Sequence, residues 1–165
     1  MRAAALLTAA AMLLAAAGCG SPAENRKRLV KGTSADVPSA RKPWVKVRNL
    51  FVLGPDQDQL LRVGADAPVY AYLTASATDK LVSVSSPAFS GSRIVGGAVD
   101  LPAGRLVELQ SDDRPRVVLT GLAGKLQGAE QYPLTLVFER AGRVQVGHVP
   151  VIKRRQAYAT YPPAP

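Results

Sequence analysis

Apolar and polar positions along the chain fall into short alternating runs rather than helical stripes. Trp44–Leu53 alternates through Val45 and Val47, then changes phase at Asn49 and resumes through Leu50 and Val52. Such a phase change predicts a bulge, because side chains on a strand face opposite sides with a period of two. Pro68–Ala75 puts Val69, Ala71 and Leu73 on one face, with Tyr70 and Tyr72 on the other. Further strands are predicted over 80–85, 93–99, 106–109, 116–120 and 133–139, where Leu134, Leu136 and Phe138 alternate. Ala141-Gly142 reads as a tight hairpin into a strand over 143–151. Turn residues recur throughout, and only 57–63 is compatible with a short helical turn. Seven to nine short strands in one domain's length predict an all-β, antiparallel Greek-key β-sandwich.

The flanks break this pattern. Arg2 precedes Ala3–Ala17, which is apolar except for Thr8, and the exit reads Ala16-Ala17-Gly18-Cys19. A positive start, an apolar run of about 15 residues and a small-residue exit describe a secretory signal over 1–18. A membrane-spanning helix needs roughly 20 residues. The exit resembles a bacterial lipobox, in which the cysteine is acylated and becomes the mature N-terminus; Ala16 stands where leucine is usual. The alternative is an ordinary cleaved signal with an incidental cysteine. Position favours the lipobox, because the chain's one cysteine sits where the apolar run ends. Two or three acyl chains at ~0.8 kcal/mol per buried CH₂ would hold the protein on a membrane. The site is then the outer face of a bacterial cytoplasmic membrane.

Residues 19–43 are polar, basic and punctuated by Gly, Ser and Pro, with Arg26, Lys27, Arg28, Lys31, Arg41 and Lys42 against Glu24 and Asp36. This predicts a flexible tether, either drawn to anionic headgroups or merely solvated. Residues 152–165 carry Lys153-Arg154-Arg155, Tyr158, Tyr161 and a Pro-rich end without alternation, which predicts a disordered tail. The basic tail could touch anionic lipid or wall polymer, or simply be solvated. The sandwich is expected over 44–151.

Charge and rare residues then narrow the chemistry. The chain has 21 basic and 12 acidic residues, a net +9; removing Arg2 with the signal leaves 20 basic residues, or +8. Much of that excess lies in the two flanks rather than on one aromatic-bearing face, and export separates the chain from nucleic acid, so nucleic-acid binding is not expected. One cysteine cannot form an intrachain disulfide or a CxxC pair. Both methionines, Met1 and Met12, leave with the signal.

An ordered series of short motifs covers residues 44–151. It runs Ala71-Tyr72-Leu73-Thr74, Asp79-Lys80-Leu81-Val82-Ser83-Val84-Ser85-Ser86-Pro87 and Leu101-Pro102-Ala103-Gly104. Next come Val118-Leu119-Thr120-Gly121-Leu122, Leu126-Gln127-Gly128 and Tyr132–Glu139, then Ala141-Gly142 and Val149-Pro150-Val151. The series resembles the PCu(A)C-type periplasmic copper chaperones and their LpqE-like lipoprotein relatives. The resemblance implies a cupredoxin-like fold and copper held by His and Met: a His-x-Met pair before the Gly-Leu turn, and an earlier His and Met between the Ser-Ser-Pro and Pro-Ala-Gly motifs. Here the first pair is Arg116 and Val118, and 88–100 holds neither residue type. Cu(I) prefers thioether, thiolate or imidazole donors.

Other candidates are weak. His148 is the chain's one histidine. Simple alternation puts it beside Val144 and Val146, and a bulge at Gly147 would reverse that. It has no nearby Ser or Cys elbow to activate, so it is kept only as an alternative copper ligand. Asp56-Gln57-Asp58 starts like a calcium loop, but Leu61 and Ala67 stand where Gly and Glu are needed. Asp112-Asp113-Arg114 reads as a turn. Gly121–Lys125 lacks P-loop spacing, and no carboxylate pair stands out. The expected protein is a non-catalytic, lipid-anchored binding or assembly module, needing no cofactor and engaging an envelope protein or wall component. The alternative is a copper chaperone or trafficking accessory. Cys19→Ser should release the protein from the membrane fraction on cell fractionation; retention would contradict acylation at Cys19.

Overall fold

The computed structural model describes residues 32–37, 44–56, 58–111 and 114–164, with side chains 111–115 left out. Residues 1–18, expected to be a signal, Cys19, and Asp112-Asp113, expected to be a turn, lie outside the described residues. Twelve strands are formed among those described. They are β1 (Thr33–Val37), β2 (Val45–Asp56), β3 (Ala67–Ala75), β4 (Asp79–Ser85), β5 (Phe89–Ile94) and β6 (Val99–Leu101). After them come β7 (Leu106–Glu108), β8 (Gln110–Ser111), β9 (Arg114–Pro115), β10 (Val117–Leu122), β11 (Gln131–Phe138) and β12 (Gly142–Arg154). A single 3-10 turn, Gln156–Tyr158, follows.

Hydrogen-bonded neighbours run β5-β10-β3-β2-β12-β11-β4-β6, with β1 added to β2 and β7 to β3; β8 and β9 pair separately. The long β12 belongs to both layers. Its first half pairs antiparallel with β11, from Phe138 opposite Gly142 to Gln131 opposite Pro150. Its second half pairs with β2, Val151 opposite Val52 and Arg154 opposite Asp56. That second pairing is parallel, so the sandwich is not purely antiparallel as expected. The reason is local: β12 leaves one layer and enters the other while keeping its direction, and β2 already runs that way. The Arg154 guanidinium donates to Asp56 Oδ1 at 2.7 Å where the two strands end.

The core lies between the layers. It contains Val45, Val47, Leu50 and Val52 of β2 and Val69, Ala71 and Leu73 of β3. Facing them are Leu81 and Val84 of β4, Leu134, Leu136 and Phe138 of β11, and Val146 and Val149 of β12. The expected bulge is present. Asn49 adopts φ 52°, and the β2–β3 register shifts between Arg48 and Phe51. The Asn49 side chain accepts the Gly32 N–H at 2.9 Å. A Cβ at Gly32 would lie 2.4 Å from the Asn49 carbonyl carbon, so only glycine fits there.

Three flank and strand assignments change. Residues 33–37, expected within the flexible tether, form β1, with Val37 opposite Val45 and buried. Residues 93–99 are not one strand: β5 ends at Ile94, and Gly96 and Gly97 turn the chain at φ 80° and 87° before β6 begins. Residues 58–63 form no helical turn, because Leu61 instead bridges Leu126.

The expected disordered tail is also docked. After the Asn49 bulge, β2 buries both its faces, and Phe51 and Leu53 point away from the main core. They form a second cluster with Tyr70 and Ile152, against which Tyr158 and Tyr161 pack. Phe51 stacks on Tyr70 with centroids 5.4 Å apart, and Tyr161 meets Tyr70 edge-on at 4.7 Å. The Tyr70 hydroxyl donates to the Pro162 carbonyl at 2.6 Å. Burying an aromatic of this size contributes about 1.5–3 kcal/mol, which offsets the entropy of ordering a few tail residues.

The same burial sets an alkaline limit. Burial first, then the neighbouring Tyr161, raises the Tyr70 hydroxyl far above the ordinary tyrosine range. Burial first, then the Tyr72 hydroxyl, pushes Tyr161 up to about 12. Both groups are held in the neutral form. Their contribution to docking is therefore complete below the ordinary tyrosine value of about 10 and is lost as pH rises through the folded values. A tyrosinate absorbance titration should show these two hydroxyls ionising above ordinary tyrosine. Deleting residues 156–165 should return Tyr70 toward the ordinary value; a late-ionising Tyr70 in the truncated chain would contradict the docking.

Candidate functional site

Two segments that the sequence points to as the copper position of the resembled family are brought together. β5 and β10 pair antiparallel, placing Ile94 opposite Val117 and Arg93 opposite Val118. Beyond β5, the Val95 N–H donates to the Arg116 carbonyl at 2.8 Å. The Arg116 N–H donates to the Leu109 carbonyl at 3.2 Å, and the Leu109 N–H to the Ala71 carbonyl at 2.9 Å. The 95–98 turn and Arg116 are thus held side by side by backbone bonds that do not depend on side-chain identity.

The side chains there are not soft donors. Val95 is exposed, Arg116 is half-buried and Val118 is fully buried. Val117 and Leu119 face the main core, so Val118 faces the opposite side of the strand. Arg93 lies 3.8 Å from Asp66, whose Oδ1 accepts the Gly121 N–H at 3.1 Å. The patch therefore holds two guanidinium groups, a carboxylate already engaged and aliphatic carbon. Among the described residues no group of three or more His, Cys, Asp or Glu could hold a metal ion.

His148 does not complete this patch. The β11–β12 register shifts so that Leu134 faces Val146 while Tyr132 faces Val149. Gly147 and His148 absorb the shift, and His148 is exposed while Val146 and Val149 are buried. This is the bulge reading of that segment rather than simple alternation. His148 sits on a strand that pairs with β11 and not with β5 or β10.

Three carboxylates, Asp79, Glu130 and Asp56, have structural partners. Asp79 is 1% exposed. Its Oδ1 accepts the N–H groups of Lys80 at 2.7 Å and Arg140 at 2.9 Å, and its Oδ2 accepts that of Ala141 at 2.9 Å. It fixes the turn between β11 and β12. Above that turn the Arg140 guanidinium lies 5.3 Å from the Trp44 ring centroid. Glu130 accepts the N–H groups of Gln127, Gly128 and Ala129 at 2.7–2.9 Å. Burial opposes its ionised form, but these backbone donors prevail and hold its carboxyl below the usual range. Asp56, the start of the rejected calcium pattern, is paired with Arg154. Neither Asp79 nor Glu130 had been singled out from the sequence. An acid preceding a strand opposite a hairpin, or closing a Gly-containing loop, is the signal that points to them.

The chain is similar to the apo PCuAC domain from PmoF1, at 23% identity and a TM-score of 0.59, over 73% of this chain and 99% of that one. It is similar to the copper-bound PCuAC domain from PmoF2, at 20% identity and a TM-score of 0.57, over 73% of this chain and 98% of that one. These likenesses establish the cupredoxin-like sandwich. No curated protein matches. The LpqE-like family model matches residues 39–151, well over half of the chain. The chain therefore belongs to the LpqE-like family.

Proposed function

We propose that the chain is a non-catalytic, lipid-anchored module of the bacterial cell envelope. Its sandwich engages a protein partner or wall component rather than carrying copper. One observation carries this reading: the 95–98 turn and Arg116 are held in register, yet the side chains they present are Val95, Arg116 and Val118. A Cu(I) site needs two or three soft donors at bonding distance. A guanidinium in their place adds a positive charge that repels the ion. The anchor reading rests on the single cysteine closing an apolar N-terminal run and on the LpqE-like membership. The non-catalytic reading rests on the engagement of Asp79 and Glu130 by backbone N–H groups.

A copper-trafficking role is the second reading, and the likeness to a copper-bound PCuAC domain favours it. It would draw on the exposed His148 with ligands supplied by a partner. Titrating the mature chain with Cu(I) against a competing chelator separates the two. The module reading predicts no stoichiometric binding tighter than about 1 μM, and no change on His148→Ala. A tight one-to-one complex, weakened by His148→Ala, would establish the copper reading instead.

A further inference from the structure

The end of the sandwich where β2 finishes carries an unusual surface on a fixed frame. Residues 58–66 and 123–130 meet there. Leu61 and Leu126 exchange backbone hydrogen bonds of 3.0 Å in both directions. The Gly64 N–H donates to the Leu122 carbonyl at 2.8 Å, and the Leu122 N–H to the Ala65 carbonyl at 2.9 Å. With Glu130 collecting three further N–H groups, both segments are tied down. Even so, Leu60 is 50% and Val63 64% exposed. They border one open hollow with Arg62 and Lys125, in which Asp58 is the acidic member. Arg155, just past β12, is exposed at the same end, because β12 runs parallel to β2.

Charge at this end is net basic: Arg62, Lys125 and Arg155 stand against Asp58 and the backbone-engaged Glu130. Asp56 is paired with Arg154, Asp66 lies by Arg93 and the Gly121 N–H, and Glu130 is occupied by backbone. Arg62 and Lys125 form no ion pair with another described residue. Aliphatic side chains projecting between long cationic ones match the boundary of a bilayer. The carbon enters the acyl edge, and the cations reach lipid phosphates while their stems stay apolar. Each such cation is worth about 1 kcal/mol near an anionic surface.

Chain direction leaves this end within reach of the proposed anchor. β1 runs antiparallel to β2 with Thr33 opposite Leu50, so its N-terminal end points toward the end where β2 finishes. Cys19 precedes Gly32 by thirteen residues, a reach of at most about 45 Å. Arg26, Lys27, Arg28 and Lys31 lie within that stretch. β5 runs the other way, from Phe89 opposite Leu122 at this end to Ile94.

We propose that this end of the sandwich rests on the anionic bilayer, with Leu60 and Val63 at the headgroup–acyl boundary and Arg62, Lys125 and Arg155 on lipid phosphates. The 95–98 turn and Arg116 then face away from the membrane, toward any partner. The inference rests on the lipid-anchor reading for the presence of the bilayer, and its test is independent of acylation. The mature chain carrying Cys19→Ser and an N-terminal hexahistidine is held on phosphatidylglycerol vesicles by nickel-chelating lipid. An environment-sensitive fluorophore is placed at Val63→Cys, at Leu60→Cys, or at Thr78→Cys on the opposite end. The expected result is a blue-shifted emission at 63 and 60, quenched by nitroxide-bearing lipid, and neither effect at 78. Adding Arg62→Glu and Lys125→Glu should abolish the shift at 63. Equal, water-like emission at 60, 63 and 78 would overturn the proposal, even if the native chain proves to be acylated. Failure of acylation alone would appear separately, as a native chain that does not fractionate with membranes.

Discussion

β12 pairs with β11 through its first half and with β2 through its second, and the remainder of the sandwich hangs on that exchange. Without it the layer holding β4, β6 and β11 would be joined to the layer holding β2, β3 and β10 mainly by side-chain packing. With it, a continuous ladder of backbone hydrogen bonds crosses from one layer to the other. The crossing also delivers Ile152 to the outer face of β2, beside Phe51 and Leu53. The Arg154–Asp56 ion pair closes the crossing at 2.7 Å. Both side chains are part-exposed, so the pair adds little stability beyond register.

The consequence is a molecule with apolar packing on two faces of one strand. The Asn49 bulge turns Leu50 and Val52 into the main core while Phe51 and Leu53 face outward. An outward Phe and Leu on a water-facing sheet would be unfavourable. The segment after β12 resolves this by folding back, so that Tyr158 and Tyr161 cover Phe51 and Tyr70. A tail that looks polar and proline-rich in isolation thus becomes part of the fold through three aromatic contacts, Tyr158 on Phe51 and Tyr161 on Phe51 and Tyr70, and one hydrogen bond. On the other side of the strand order, the β5–β10 pairing and the Leu109–Arg116 bonds hold the 95–98 turn in place by backbone alone. These backbone bonds set the geometry whatever the side chains, which here are valine and arginine.

Alternation made the inner strands legible. Val69, Ala71 and Leu73 against Tyr70 and Tyr72 sort to opposite faces as their spacing implies, and the hairpin at Gly142, with φ 86°, is where Ala141-Gly142 put it. The phase break at Asn49 was readable because a period of two leaves no other explanation. β1 was not readable: its five residues are mostly polar, and it is held by backbone pairing to β2 with Val37 as its buried residue. The tail was missed because its tyrosines gain meaning only from Phe51. The unbroken apolar run Leu50-Phe51-Val52-Leu53 was the available sign, since a strand with one wet face does not bury four residues in succession. At the candidate site the motif series located Arg116 and Val118. Asp79 and Glu130 carried only a local signal, an acid at a strand start and an acid closing a Gly-containing loop, and spacing alone did not name their backbone partners.

Residues 151–154 carry β12 out of the β11 layer and into the β2 layer rather than beginning a tail. Local opening energies differ across a fold, and amides that open only with the whole domain are the most protected. Native-state hydrogen exchange of the mature chain therefore tests this crossing directly. The amides of Ile152 and Lys153 should exchange with protection matching that of Val52 and Leu53 in the core of β2. Exchange of the 152–154 amides orders of magnitude faster than those of Val52 and Leu53 would contradict it.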